Sequence, residues 1–182
     1  MDPHIVRLGH ATETSQNDAD RIADLHTRSR QIAYRGLYGD AFLDHELFEV
    51  SRATWRARFK TFDPATDLIL AAMDGAEPIA LAYASFRINP QVGCLVDNLH
   101  VAPERKSGGL GSALLAETAR WLIQDHGGAA LHLEVYAPNE AALGFYVRKG
   151  GAEVARYRET VPGGREVDTV RYRWADPAAL LR

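Results

Sequence analysis

Cysteine is almost absent from this sequence: Cys94 is the only one among 182 residues. A single thiol excludes an internal disulfide and the zinc sites that are built from several cysteines. The seven histidines are scattered without the spacing of metal ligands, so we expect no bound metal. One cysteine, followed by the apolar residues Leu95 and Val96, fits a reducing cytoplasm and a buried thiol.

Long apolar runs and an excess of positive charge are also missing. No stretch reaches the roughly 20 apolar residues of a membrane helix, and the first ten residues lack the order of a signal peptide. The formal net charge is −3, and no basic patch is long enough to attract a phosphate backbone. We therefore expect a cytoplasmic protein with neither a membrane nor a nucleic acid as its partner.

The remaining composition is that of a globular protein, with 46% hydrophobic and 25% charged residues. The length suits one compact domain, and the chain contains no internal repeat, low-complexity tract or linker. We predict a single domain over residues 1–182.

The hydrophobic pattern alternates between the periods of strands and of helices. It predicts strands at residues 5–8, 68–73, 79–86, 94–101 and 130–136, and a final pair joined at residues 162–164. It predicts helices at residues 17–34, at 40–60 as one long or two short helices, at 110–127 and at 139–149. The strands within residues 68–101 should form an antiparallel meander, and residues 94–136 a βαβ unit with parallel strands. The predicted fold class is α/β, a mixed sheet with helices on its faces.

A glycine-rich turn joins one of these strands to the next helix, in the order Val101-Ala-Pro-Glu-Arg-Lys-Ser-Gly-Gly-Leu-Gly-Ser-Ala-Leu114. The glycines let the backbone approach a ligand closely, and the first amides of the helix attract an anion. A phosphate or pyrophosphate fits this pattern, and so does plain turn chemistry without a ligand. The spacing matches neither the P-loop nor the dinucleotide fingerprint, which would need a third glycine where Leu114 stands.

A second pattern occurs about 30 residues further on. Asn139, Ala142, Tyr146 and Gly150 stand at offsets that place them on one face of a helix. The turn resembles motif A of the GNAT superfamily of acyl-CoA N-acyltransferases, and this helix resembles motif B of the same superfamily.

Two residues depart from these motifs. Lys106 stands where motif A has Arg or Gln, so the turn lacks a planar side chain that could brace it. Gly151 stands where motif B usually has Phe, which should weaken the local packing. The resemblance extends over about residues 5–174, although only the two motifs are specific.

The resemblance implies a single-domain, GNAT-like mixed sheet that is splayed between its fourth and fifth strands. It implies direct transfer of an acetyl group from acetyl-CoA to a primary amine of a small molecule, with no metal. The residues that it implies for binding acetyl-CoA (CoA) are Leu99, His100, Val101, Lys106, Ser107, Gly108, Gly109, Leu110, Gly111, Ser112, Asn139, Ala142, Tyr146 and Lys149.

Three residues are candidates for proton transfer. The resemblance implies that Tyr146 protonates the departing thiolate, whereas the structural alternative is an aromatic residue that only packs. Asp97 interrupts an apolar strand, and strand alternation places it on the face opposite Asn98. It is either the base that receives the amine proton or a carboxylate bonded to the backbone. Glu134, on the neighbouring strand, is the competing base.

The acceptor pocket is expected between the first helices, where this family commonly forms part of it. Tyr34, Arg35 and Tyr38 could enclose an amine or a carboxylate there, or simply form a helix junction. A protein N-terminus or lysine is an alternative acceptor, and a noncatalytic acyl-CoA sensor is an alternative function. Aromatic and strand-edge surfaces are compatible with a homodimer.

Overall fold

Seven strands form one sheet in the computed structural model, which describes residues 3–9 and 15–182. The strands are β1 His4–Leu8, β2 Asp67–Asp74, β3 Glu77–Ser85, β4 Cys94–Val101, β5 Leu131–Tyr136, β6 Ala152–Thr160 and β7 Glu166–Trp174. Their order across the sheet is β1-β2-β3-β4-β5-β7-β6. Neighbouring strands are antiparallel except β4 and β5, which are parallel. The predicted mixed sheet, meander and parallel pair are therefore confirmed.

Helices flank this sheet. In the described part of the chain they are α1 Ser15–Ala33, α2 Leu47–Lys60, α3 Leu110–Asp125 and α4 Glu140–Arg148. A π-helical turn, Phe42–Glu46, leads into α2, and 3-10 turns occupy Pro103–Arg105 and Pro177–Leu181. Helix α1 begins two residues before the predicted start at Asn17, and residues 11–14 of the predicted polar stretch lie outside the described residues. No helix within residues 3–9 and 15–182 is long and apolar enough to cross a membrane.

The central strands are apolar on both faces because helices pack on both. Ile69 of β2 and Leu81 of β3 belong to the core beneath α1 and α2, together with Trp55. Leu70 and Ala82, their strand neighbours, belong to the core that includes Leu114 and Leu122 of α3. Burial on both faces explains why these strands read as continuous apolar runs rather than as an alternating pattern.

Strands β4 and β5 separate along their length. They pair only at Cys94 with Leu131, Leu95 with His132, and Val96 with Leu133. Beyond these pairs, β4 continues along β3 and β5 continues along β7 as far as Tyr136. The resulting gap has backbone groups of both strands facing it without ladder partners, and such groups need another partner. The splay implied by the family resemblance is present.

A β-bulge in β4 lies at the start of this gap. The register passes from Ala84 opposite Val96 to Tyr83 opposite Asn98, so Asp97 is the extra residue. A bulge breaks the alternation of side chains along a strand. The prediction that Asp97 and Asn98 face opposite sides is wrong, because Arg58 of α2 hydrogen-bonds to both side chains.

Candidate active site

A cleft of about 830 Å³ opens where β4 and β5 separate. Its walls come from both strands, the glycine-rich turn, α4, α1, α2, β6 and β7. This volume lies in the range of roughly 300–1,000 Å³ that is typical of sites for small molecules and cofactors. The cleft has two ends, a turn end at the N-terminus of α3 and an acceptor end beside α1 and α2.

The turn end presents backbone amides. Gly109 has φ +79° and caps α3, and Ser107 has φ +68°, a left-handed conformation that is uncommon for a residue with a side chain. The N–H of Ala113 donates to Gly109 O at 3.0 Å and opens the helical ladder. The amides before it have no carbonyl within the helix to which they can donate. A Cβ at Gly109 would meet no atom within 4 Å, so the backbone there is open to a ligand.

An ion pair holds this turn in place. Arg105 bonds to Asp74 at the end of β2, and its backbone N–H donates to Ala102 O at 2.8 Å. Lys106 was expected to leave the turn without a brace, and the neighbouring Arg105 supplies one. The side chain of Lys106 lines the cleft and makes no ion pair with a carboxylate of the described residues.

The motif B residues position Tyr146. Asn139 is the N-cap of α4, and its side chain accepts from Ala142 N at 3.3 Å. Its amide therefore has a structural role in addition to lining the cleft. Gly150, at φ +78°, follows the end of the helix. The ring of Tyr146 packs against Trp174 with ring centroids 6.2 Å apart.

The Tyr146 hydroxyl is free to act. The side chain is 8% exposed and lines the cleft, and no group of the described residues hydrogen-bonds to its hydroxyl. Burial raises the pKa of Tyr146 above its usual value, so the hydroxyl stays protonated at neutral pH. A packed ring with an unpaired, protonated hydroxyl is a suitable general acid.

Both candidate bases are held in ion pairs. Asp97 pairs with Arg58, whose guanidinium lies 4.2 Å from the Tyr83 ring centroid. Glu134 pairs with Arg171, with Nη2 and Oε1 2.7 Å apart. Both carboxylates line the cleft, so the geometry keeps both as candidates.

Tyrosines surround the acceptor end. The hydroxyls of Tyr38 and Tyr136 are 2.8 Å apart, and the ring of Tyr34 packs on both of these rings. Burial raises the pKa of Tyr34 to about 12, and burial together with the hydrogen bond between Tyr136 and Tyr38 raises the pKa of Tyr136 above its usual value. These hydroxyls therefore remain protonated. Glu159 of β6 also lines this end, and its carboxylate accepts from the Thr169 hydroxyl.

Two histidines beneath this end are neutral. Burial lowers the pKa of His26 well below 6.5 and that of His100 to about 3. The Trp55 indole N–H donates to His26 Nδ1 at 3.0 Å, and His100 Nδ1 lies 3.0 Å from Ser29 Oγ. Cys94 is fully buried, as predicted, and burial raises its pKa to about 12.

Most of the predicted site residues line this cleft. Gly108, Lys149 and Arg35 do not: the Lys149 carbonyl accepts from the Trp174 indole at 2.8 Å, and Arg35 pairs with acidic side chains outside the cleft. Lining residues beyond those predicted from the sequence include Arg30, Arg58, Tyr136, Glu159 and Thr169. Tyr136 was detectable because it ends the strand beside the predicted splay. Glu159 and Thr169 carried no such signal, since the pairing register of β5, β6 and β7 brings them to the cleft.

The sequence matches the Acetyltransferase (GNAT) family over residues 20–151. Because this match covers more than half of the chain, the chain belongs to the GNAT acetyltransferase family. No curated protein matches the sequence.

Solved structures share this fold. The PaiA N-acetyltransferase of Thermoplasma acidophilum, in complex with coenzyme A, has a TM-score of 0.70 at 17% identity, covering 96% of this chain and 100% of that chain. The ribosomal-protein-S18-alanine N-acetyltransferase of Escherichia coli has a TM-score of 0.63 at 22% identity, covering 94% and 92%. A variant of spermidine N-acetyltransferase from Vibrio cholerae has a TM-score of 0.68 at 16% identity, covering 99% and 96%.

Proposed function

We propose that this protein transfers the acetyl group of acetyl-CoA directly to a primary amine of a small molecule, with residues 1–182 acting as one domain. The observation that carries the proposal is the free hydroxyl of Tyr146 in the cleft that joins the turn to the tyrosine-lined acceptor end. This hydroxyl can serve a leaving group that lies in the gap between β4 and β5.

The turn end fits the pyrophosphate of CoA. The amides of residues 107–112 and the positive end of α3 would hold its charge, and Lys106 would add a cation. Backbone groups of β4 around Leu99 and Val101 face the gap, where the pantetheine arm could bond to them. The Thermoplasma acidophilum structure with coenzyme A supports CoA as the ligand of such a fold.

The proposed chemistry needs one bond formed and one broken. The neutral amine nitrogen bonds to the thioester carbon, and the carbon–sulfur bond then breaks. Tyr146 donates its hydroxyl proton to the departing sulfur, and the amine proton passes to Asp97 or Glu134, directly or through water. Backbone N–H groups in the gap can stabilise the negative charge on the thioester oxygen.

A contact between two loops favours a small acceptor over a protein chain. The segment between α1 and α2 meets the β6–β7 turn, where Gly39 N donates to Pro162 O at 2.9 Å and Arg165 bonds to Gly36 O. A Cβ at Gly163 would lie 2.5 Å from Gly39 N, so the two backbones are in direct contact. This contact lies beside Tyr38 at the acceptor end, where it would restrict an extended peptide. One structural neighbour, the spermidine N-acetyltransferase of Vibrio cholerae, is named for a small amine.

The test is acetyl-CoA turnover with a panel of small amines and, separately, N-terminal and lysine peptides. CoA release that depends on a small amine, and a rise in melting temperature with CoA, would support the proposal. Peptide turnover alone would favour the alternative of protein acetylation. A CoA-dependent thermal shift without turnover would favour a noncatalytic sensor, and no shift would reject the CoA site.

A further inference from the structure

Arg30 of α1 places a positive charge at the acceptor end, and the proposed function gives this charge no role. Five cationic residues line the cleft: Arg30, Arg58, Arg105, Lys106 and Arg148. Arg58 and Arg105 are paired with carboxylates. Lys106 belongs to the turn that the proposed function assigns to CoA, and Arg148 belongs to α4, the helix whose motif B residues the family resemblance implies for CoA. Arg30 has no ion pair or hydrogen bond from its side chain to any group of the described residues.

The surroundings of Arg30 are neutral. Its guanidinium carbon lies 5.8 Å and 5.5 Å from the ring centroids of Tyr34 and Tyr38, within range of a cation–π contact. Burial is the main cause of the low pKa of His26 and of His100, and the positive charge of Arg30 lowers both further. A half-buried guanidinium among neutral groups lacks the anion that would compensate its desolvation.

A second orphaned group lines the same cleft. Ser51 of α2 is 1% exposed, and its Oγ has no hydrogen-bond partner among the described residues. Buried hydroxyls are normally bonded, so this oxygen also indicates a missing polar partner. Two unsatisfied groups, one cationic and one hydroxyl, therefore lie on the two helices that wall the acceptor end.

We propose that Arg30 binds a carboxylate of the acceptor, so that the substrates are amines that also carry a carboxylate, such as amino acids. The inference rests on the proposed acetyl transfer. A guanidinium binds a carboxylate in a planar, bidentate manner. One positive charge offsets one carboxylate, whereas a phosphate carries about 1.5 to 2 negative charges at neutral pH.

The charge of Glu159 also favours an acceptor whose carboxylate lies at Arg30. Its carboxylate lies beyond the tyrosines, next to Tyr136. Burial and the contacts with Tyr38 and Tyr34 are the main causes of the raised pKa of Tyr136, and the charge of Glu159 adds to them. Glu159 has no ion pair with a described residue, and it would repel a carboxylate placed at that side. The acceptor end thus has a cationic side at Arg30 and an anionic side at Glu159, separated by tyrosine rings, so the Arg30 side favours a carboxylate.

The test compares amino acids with the amines that lack only the carboxylate. Four pairs cover different side chains: phenylalanine with 2-phenylethylamine, methionine with 3-(methylthio)propylamine, lysine with cadaverine, and leucine with isoamylamine. The variants are Arg30→Gln and Arg30→Lys, with Arg28→Gln as the matched control, because Arg28 is an exposed arginine on the same helix outside the cleft.

Within the pair that the wild type uses, kcat/KM should be roughly tenfold to a hundredfold higher for the amino acid than for the plain amine. This ratio corresponds to the usual contribution of hydrogen bonds to a charged group. Arg30→Gln should lose this preference because kcat/KM falls more for the amino acid than for the plain amine, and Kd for CoA should change by less than about threefold. Arg30→Lys should retain part of the preference, and Arg28→Gln should match the wild type.

Equal use of both members by the wild type, or a preference that survives Arg30→Gln, would overturn the inference. An Arg30→Gln variant that loses CoA affinity would also overturn it, because Arg30 would then serve CoA. If no amine releases CoA, the proposed function fails, and titration of the CoA-saturated protein with the four amino acids decides the subsite separately. Binding that Arg30→Gln abolishes would sustain the carboxylate subsite, and no binding would reject it.

Discussion

The indole of Trp174 occupies the space beside Gly151: a Cβ at Gly151 would lie 2.7 Å from Trp174 Cζ2 and 3.0 Å from Cη2. Trp174 is 2% exposed, and its ring also packs on Tyr146. Gly151 is the position where the family motif usually has Phe, and its absence was expected to weaken the packing. An aromatic ring from β7 fills that space, so the back of Tyr146 is packed after all.

Restoring the aromatic residue at this position should therefore destabilise the protein. Gly151→Phe should lower the free energy of unfolding by about 1–3 kcal/mol, because overpacking forces neighbours to shift. Trp174→Ala should cost about 3–5 kcal/mol as a cavity, and adding Gly151→Phe to it should recover part of that loss. Urea denaturation measures all three variants, and a Gly151→Phe protein as stable as the wild type would contradict the packing described.

Tyr146→Phe tests the general acid. Removing the hydroxyl should lower kcat by about 10²-fold to 10⁴-fold if departure of the thiolate limits turnover. CoA affinity and melting temperature should change little, because the ring keeps its contacts and the hydroxyl has no bond to a described residue. The defect should shrink with a donor whose thiol has a lower pKa. Tyr172→Phe is the control, because it removes the hydroxyl of a buried neighbour outside the cleft. Its kcat should equal that of the wild type.

Gly109→Val tests the anion-binding turn. A β-branched residue is strained at φ +79° and would project into the open space where the ligand is expected. CoA affinity should fall at least about tenfold, the equivalent of one lost charge-assisted contact. Gly75→Val is the control, because Gly75 has φ +60° with nothing within 4 Å in the β2–β3 turn. Calorimetric titration that finds equal CoA affinity in both variants would reject the turn as the site.

The rate of acetyl transfer in two variants distinguishes the two bases. If Asp97 receives the amine proton, Asp97→Asn lowers kcat/KM, and Glu134→Gln leaves it close to the wild-type value. The reverse result assigns the base to Glu134. Wild-type kcat/KM in both variants would exclude both carboxylates.

The neutral histidines make the fold sensitive to acid. His26 has a pKa below 6.5 in the folded protein, mainly through burial, so the unfolded chain binds more protons once the pH falls below about 6.5. Stability is therefore lost as the pH decreases, and protonation would also break the bond from Trp55. Melting curves from about pH 7.5 to about pH 5 should show a smaller decrease for His26→Gln than for the wild type. His45→Gln, at an exposed site, should follow the wild type.

The sequence by itself determined the strands, the helices and the two motifs, because each depends on residues near one another in the chain. Apolar periodicity located β4 at the bounds that the structure has, and the glycines located the turn before α3. The offsets from Asn139 to Tyr146 depend only on the helical period, so the inward face of α4 was also predictable.

Only the tertiary structure decided how the charged groups of the cleft are paired. The bulge at Asp97, which brings Asp97 and Asn98 together on Arg58, depends on the register between β3 and β4. The ring of Trp174 lies beside Gly151 because β6 pairs with β7 in a register that places Ala152 opposite Arg173. Arg30 became a candidate only when the ion pairs of Arg58 and Arg105 were known. Such contacts join residues far apart in the chain, and local propensity carries no information about them.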